Sequence, residues 1–137
     1  MRTLHPMSLL LLICLCAQLC ICASADEVGV RFYFDDQLSV VQRSVPAGIS
    51  PIESAIRQLV AGPTAAERAL GYTSVIPAGT TVETLVVKPD SVEVGLSAEV
   101  LKDFEEYKLE AIFKQFSVTL GDFPKITRIA LMHKGKL

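Results

Sequence analysis

Side chains that most often carry catalysis or bind metals are scarce in the body of this sequence. Beyond position 25 there is no cysteine, and His133 is the only histidine. A serine–histidine pair would have to use His133, which lies just before a Lys-Gly-Lys tail near the last residue, where an exposed strand end is expected. One histidine with scattered carboxylates is a poor start for a zinc site. We therefore expect no catalytic residue, no metal and no cofactor.

Carboxylates are the remaining reactive groups. Asp35 and Asp36 are adjacent, but the spacing and glycine of a calcium-binding loop are absent, and turn chemistry explains the pair. Two acids for glycoside hydrolysis are not excluded, because acids are plentiful and their separation in space is unknown. Glu105, Glu106 and Glu110 are typical of a solvated helix face. No glycine-rich phosphate-binding motif follows a strand. The sequence thus argues against an enzyme.

The charge balance excludes another class of function. Arg2 is the only charged residue before Asp26, so taking it from the 13 basic and 15 acidic residues leaves 12 basic and 15 acidic, a net charge of −3. A mildly acidic chain does not offer the basic surface that nucleic acids require. We expect no nucleic-acid partner.

The first 25 residues have the pattern of a secretory signal peptide. Arg2 precedes an apolar stretch at residues 7–22, and Ala23 and Ala25 supply the small side chains of a cleavage site after Ala25. The stretch is shorter than the ~20 residues that cross a bilayer. An uncleaved or lipidated leader is the alternative and the only expected route to a membrane, although bulky residues precede each cysteine. The cysteines are Cys14, Cys16, Cys20 and Cys22. We expect an extracytoplasmic protein.

The remaining residues, 26–137, alternate between strand and helix patterns and predict one domain. A capping box at residues 50–53 opens a helix that Gly-Pro at 62–63 ends, a second box at 64–67 opens a short helix, and residues 107–120 predict a third. The apolar stripe of that third helix is Leu109, Ile112, Phe113, Phe116 and Leu120. The predicted strands are 28–34, 38–45, 81–88, 92–96 and 126–133. The order β-β-α-(α)-β-β-α-β predicts an α+β fold, a two-layer sandwich with helices on one face of a mostly antiparallel sheet.

The segment at residues 59–80, LVAGPTAAERALGYTSVIPAGT, is the most distinctive part of the chain. It combines a helix-ending Gly-Pro, an acidic residue, a glycine and then Ser-x-Ile-Pro-x-Gly-Thr. With VEVGLS at 92–97 and SVTLGDFPKITRIALMHKG at 117–135, it resembles the GerMN domain family, a sporulation and spore-germination module of bacterial envelope proteins. The signature residues are Gly62, Pro63, Thr64, Glu67, Gly71, Ser74, Ile76, Pro77, Gly79 and Thr80. Gly95, the pair at 133–134 and a leader without a lipobox depart from the family pattern.

The resemblance implies a non-catalytic envelope module with a fold similar to the ring-building motifs of sporulation channel proteins. Its implied roles are the assembly of envelope complexes and effects on cortex peptidoglycan, and the family supplies no accepted catalytic residues. The signature itself has two interpretations. Its caps and its turn at residues 77–79 shape a connection, or the connection is a loop that faces a partner.

Two functions follow from these observations. The first is an interaction module that binds an envelope protein, or itself, through a sheet edge or a helix face. The second is a binder of peptidoglycan or carbohydrate, at most a weak hydrolase, in which tyrosines would replace the missing tryptophan as platforms for sugars. These are Tyr33, Tyr72 and Tyr107.

Overall fold

The computed structural model describes residues 26–102 and 105–134. The predicted signal peptide, with its cleavage residues Ala23 and Ala25 and its cysteines, lies outside these residues. The strands are β1 (Glu27–Phe34), β2 (Gln37–Ser44), β3 (Val82–Val87), β4 (Ser91–Leu96) and β5 (Arg128–Met132). The helices are α1 (Pro51–Ala61), α2 (Ala65–Ala69) and α3 (Glu106–Leu120), with a 3-10 helix at Ala98–Leu101. Along the described ranges, no helix combines the length and the apolar character needed to cross a membrane.

The chain begins with the predicted hairpin. Strands β1 and β2 pair antiparallel from Glu27 opposite Ser44 to Phe34 opposite Gln37. Asp35 and Asp36 form the turn with φ of 48° and 61°. Positive φ at both central residues belongs to the tight turns whose twist matches that of a hairpin, and aspartate tolerates it better than most residues. These two carboxylates are therefore accounted for as turn residues.

The other three strands form a second sheet in the order β3-β4-β5. β3 and β4 are antiparallel, whereas β4 and β5 are parallel and are joined through α3. A hairpin needs only a short turn, but two parallel strands need a long crossover, which α3 supplies. Gly95 of β4 lies where a Cβ atom would come 2.1 Å from Thr84 Oγ1. Any larger residue at this position would require the Thr84 side chain to move.

The fold class is confirmed as α+β, and the strands and helices follow the predicted order. The strands lie in two sheets, however, where one sheet was expected. The reason is visible at β1, whose second edge does not reach another strand. Tyr33 of β1 instead forms an antiparallel bridge with Thr73 of the α2–β3 connection. Both backbone hydrogen bonds of this bridge are 2.8 Å long, so the connection occupies the edge that would otherwise extend the sheet.

One core joins the two sheets through α1 and α3, which contact each other and β1. The apolar stripe predicted for α3 is wrong at two of its five positions. Ile112, Phe116 and Leu120 are buried, but Leu109 and Phe113 are 39% and 46% exposed. The helix is rotated so that two polar residues enter the core instead, Gln115 and Thr119, both 0% exposed.

Candidate functional site

The candidate site is the connection between α1 and β3, which carries the signature. It begins at Gly62, which ends α1 with φ 82° and ψ −176° and donates its N–H to Leu59 O at 3.2 Å. Gly-Pro ends the helix as predicted, and Gly62 does so in an extended backbone with positive φ, which is open essentially to glycine alone. Pro63 follows and is buried. The pair turns the chain sharply away from the helix and into the connection.

The two predicted capping boxes have different outcomes. Thr64 and Glu67 form a complete box at α2: Thr64 N–H donates to Glu67 Oε2 at 2.8 Å, and Glu67 N–H donates to Thr64 Oγ1 at 3.2 Å. At α1, Ser50 Oγ accepts from Glu53 N–H at 3.2 Å, but the Glu53 carboxylate pairs with Arg57 Nε at 2.8 Å. Arg57 lies four residues along the same face and is a cationic donor, so the carboxylate forms an ion pair with it instead of bonding the neutral Ser50 N–H.

Helix α2 buries no residue of its own and is held in place through Glu67. Glu67 Oε2 lies 2.5 Å from Arg43 Nη2 of β2, and both side chains are only 16% exposed. The Arg43 guanidinium lies over the Phe32 ring at 5.5 Å, and its Nη1 donates to Gln58 Oε1 at 3.5 Å. Sequence analysis missed Arg43, because nothing in a strand pattern marks one arginine as the anchor of a distant helix.

The middle of the signature is held by the hairpin. Gly71 ends α2 with φ 103°, and Tyr72 packs its ring against Phe34 with a centroid distance of 5.1 Å. The Tyr33–Thr73 bridge follows immediately. Tyr72 is thereby engaged in packing, whereas Tyr107 lies on α3 and is 66% exposed. The three tyrosines proposed as sugar platforms belong to β1, the connection and α3.

Buried Gln115 of α3 fixes the next part of the connection. Its Oε1 accepts from Ser74 Oγ and from Val75 N–H, both at 3.3 Å, and its Nε2 donates to Arg31 O at 2.9 Å. One amide therefore joins α3, β1 and the signature. Sequence analysis missed this role, because Gln115 is polar and does not belong to the apolar stripe by which the helix was recognised.

The signature ends in a turn before β3. Thr80 donates from N–H and from Oγ1 to Pro77 O, at 3.2 and 2.7 Å, and Gly79 takes the predicted positive φ of 86°. Thr81 N–H then donates to Ser97 Oγ at 3.0 Å. Ile76 is buried at 6% exposure and anchors the turn to the core.

Residues of the connection line a groove of about 360 Å³, the signature groove. Val60 and Ala61 at the end of α1 also line it. Its lining includes Pro63, Arg68, Tyr72, Ile76, Pro77 and Ala78. The structure thus brings Gly62, Pro63, Ser74, Ile76 and Pro77 of the signature together at one groove, while Thr64, Glu67, Gly71, Gly79 and Thr80 shape the backbone around it.

A second groove, the apolar groove, lies between α3 and β5 and measures about 230 Å³. It is lined mainly by Leu96, Val100, Leu109, Phe113, Leu131 and His133. His133 was expected to be an exposed strand-end residue. It is half-buried, and its Nδ1 lies 3.0 Å from Leu96 O, because strand β5 places it beside the end of β4.

Three acidic side chains, Asp90, Glu99 and Glu105, are engaged in local hydrogen bonds. A hydrogen bond from Arg128 lowers the pKa of Asp90, one from Ser97 lowers the pKa of Glu99, and one from Tyr107 lowers the pKa of Glu105. The expected solvated acids Glu105, Glu106 and Glu110 are all exposed. Within residues 26–102 and 105–134, no three histidine, cysteine or acidic side chains are grouped as metal ligands.

In fold, the chain is similar to the tandem GerMN domains of the sporulation protein GerM from Bacillus subtilis, with a TM-score of 0.60 and 20% identity over 81% of this chain and 40% of that chain. Against the first GerMN domain of that protein the TM-score is 0.59, with 21% identity over 80% of this chain and 84% of that chain. A protein from Clostridium perfringens described as a "putative lipoprotein" has a TM-score of 0.54 and 17% identity, over 82% and 75% of the two chains.

The sequence comparison gives the family. Residues 31–137 match the family Germane, described as sporulation and spore germination. The chain therefore belongs to this GerMN family, as the signature indicated, and the family is not a known enzyme family. No curated protein matches the sequence. The chain spans 40% of the tandem-domain structure, which contains two such domains.

Proposed function

We propose that this protein is a non-catalytic, extracytoplasmic interaction module of the bacterial cell envelope, acting in a sporulation or germination complex or a related envelope assembly. The observation that carries the proposal is the set of bonds that hold the walls of the signature groove. A connection with only one short helix is fixed by a backbone bridge at Thr73, by Gln115 and by the Glu67–Arg43 pair. Such fixation keeps a binding surface preorganised, which reduces the entropic cost of association.

Two further observations support a binding role over catalysis. The histidine of the described chain faces the carbonyl oxygen of Leu96, and Asp90, Glu99 and Glu105 are hydrogen-bonded to Arg128, Ser97 and Tyr107, respectively. The family description and the sporulation protein among the structural relatives support the setting. The leader pattern of the sequence supports export.

Affinity capture tests the proposal. The full-length protein, tagged at its C terminus and produced in its host, is cross-linked in the intact envelope and recovered. We expect a specific envelope protein or a second copy of the chain in stoichiometric amount. Recovery of nothing above background from both vegetative and sporulating cells would overturn the proposal. Cosedimentation with purified sacculi distinguishes the alternative, because a peptidoglycan binder would sediment without any protein partner.

A further inference from the structure

Arg68 is exceptional among the arginines of the described chain. The other four each pair with a carboxylate, as Arg31–Asp122, Arg43–Glu67, Arg57–Glu53 and Arg128–Asp90. Arg68 is exposed, and its one hydrogen bond within the described residues runs from Nη1 to Pro63 O at 2.6 Å. Because a guanidinium has five N–H donors, this bond holds the side chain at the groove and leaves donors for a ligand.

The surroundings of Arg68 define what the signature groove accepts. Arg68 is the only charged residue in its lining, so the groove carries a positive charge that no lining carboxylate offsets. Pro63, Tyr72, Ile76 and Pro77 supply apolar walls beside it. The groove therefore suits a carboxylate next to an apolar side chain, because arginine binds carboxylates in a bidentate manner.

Helix α1 adds a feature that suits a polypeptide. The helix ends at Ala61, and Val60 and Ala61 line the groove. Leu59 O accepts the Gly62 N–H, whereas Val60 O and Ala61 O accept no hydrogen bond from the described residues. Both can therefore accept from the N–H groups of an extended backbone, as is usual for the last carbonyl groups of a helix. A guanidinium, apolar walls and free acceptors together match a short acidic peptide segment.

We propose that the signature groove binds an acidic segment of a protein partner, with a carboxylate on Arg68 and a neighbouring apolar side chain against Tyr72 and Pro77. This inference rests on the proposed function and names the chemistry of the partner at that same site. It makes Arg68 the residue that selects the segment, and it assigns the packed signature residues the task of holding the walls around it.

The experiment uses a displayed library of random nine-residue peptides, panned against the full chain purified in mild detergent. We expect the retained peptides to be enriched in Asp or Glu beside an apolar residue. Ala78 is exposed and lines the same groove, which allows a matched pair of variants of similar size and opposite charge, Ala78→Glu and Ala78→Lys. An enriched peptide, titrated by fluorescence anisotropy, should bind Ala78→Glu about fivefold more weakly and Ala78→Lys at least as tightly as wild type.

Three comparisons complete the test. Arg68→Gln should weaken binding by about tenfold. Lys125→Gln, which changes an exposed cation outside the groove, should leave binding unchanged. Raising the salt concentration should reduce the difference in affinity between the two Ala78 variants. Equal affinity of both Ala78 variants, or a library result without acidic enrichment, overturns the inference. Displacement of the peptide by soluble muropeptides would mean that the carboxylate bound by Arg68 belongs to a peptidoglycan stem peptide. That result would overturn the inference that the ligand is a protein segment.

The inference and the proposed function fail separately. If envelope capture recovers the same partner with wild type, Ala78→Glu and Ala78→Lys, the module function stands and the groove assignment is wrong. If capture with wild type recovers nothing while acidic peptides still discriminate between the Ala78 variants, the groove assignment stands and the envelope-complex function is wrong.

Discussion

The two grooves of this molecule are built in opposite ways. The signature groove has walls held by buried polar bonds, above all those of Gln115, and a single charged residue at its surface. The apolar groove is lined by side chains that are only partly covered, such as Leu109 and Phe113, with His133 at one end. The signature groove depends on hydrogen bonds, which are directional and allow one geometry. The apolar groove depends on hydrophobic contacts, which tolerate rearrangement. A family signature can therefore mark the residues that fix a backbone, while the most hydrophobic surface lies elsewhere.

The largest effect is expected when Gln115 is replaced by leucine. Gln115→Leu keeps the volume but leaves Val75 N–H, Ser74 Oγ and Arg31 O without their partner. Since each unsatisfied buried group costs roughly 1–3 kcal/mol and some will find water, we expect the free energy of unfolding to fall by about 3 kcal/mol in urea denaturation. Hydrogen exchange at the Val75 amide should accelerate as well.

The neighbouring exposed residue supplies the control for this prediction. Lys114→Gln should change stability by less than about 0.5 kcal/mol. If Gln115→Leu were as stable as wild type and exchange at Val75 unchanged, the polar bonds would not be what holds the signature groove, and the contrast between the grooves would be wrong.

A smaller effect is expected at the apolar groove. Phe113 is 46% exposed, so only about half of its apolar surface is buried. Phe113→Ser removes this buried surface and should lower the free energy of unfolding by about 1 kcal/mol. Binding of a hydrophobic fluorescent dye should fall at the same time, while exchange at Val75 stays unchanged. Val118→Ser is the matched control, because Val118 lies on the same helix at 38% exposure and outside the lining of both grooves. Dye binding that responds equally to both variants would contradict the assignment.

Local signals in the sequence predicted most of the elements. The hairpin, the cap of α2 and the turn before β3 depend on residues close together in the chain, such as Thr64 with Glu67 and Pro77 with Gly79. Their backbone preferences act over three or four positions, so a single sequence suffices to predict them. The family signature then located the connection that forms the signature groove.

Contacts between distant segments could not be predicted in this way. The orientation of α3 depends on Gln115 meeting Arg31, 84 residues earlier, and on Thr119 Oγ1 accepting the Arg31 N–H at 3.2 Å. These bonds bring two polar residues into the core and turn Phe113 outward, against the apolar periodicity of the helix. The carboxylate partner of Arg43 is likewise set only by the folded chain. Both grooves depend on contacts between residues that are distant in the sequence, so neither groove could be predicted from sequence patterns.

The smallest effect on stability is expected on acidification. It should appear first beside the apolar groove, in the 3-10 helix that contains Glu99. Hydrogen bonds from Ser97 and Tyr107 hold the pKa of Glu99 and of Glu105 below the ordinary value of 4.5. A folded pKa below the unfolded one means that the stabilisation is fully present above pH 4.5 and is lost as the pH falls through the lower folded value. The free energy of unfolding, measured in urea from pH 7 to pH 3, should therefore be level near neutrality and decline below pH 4.5.

Replacing Glu99 isolates its share of this decline. Glu99→Gln should be slightly less stable than wild type at pH 7 and should lose less stability on acidification, because the glutamine does not titrate. Lys102→Gln, a change at a nearby exposed residue, should keep the wild-type decline. Dye binding at the apolar groove should rise below pH 4.5, since Glu99 belongs to the 3-10 helix whose Val100 lines it. If the free energy of unfolding declined in parallel in Glu99→Gln and wild type, Glu99 would not be responsible for the loss of stability in acid. Acid sensitivity would then not distinguish the apolar groove from the signature groove.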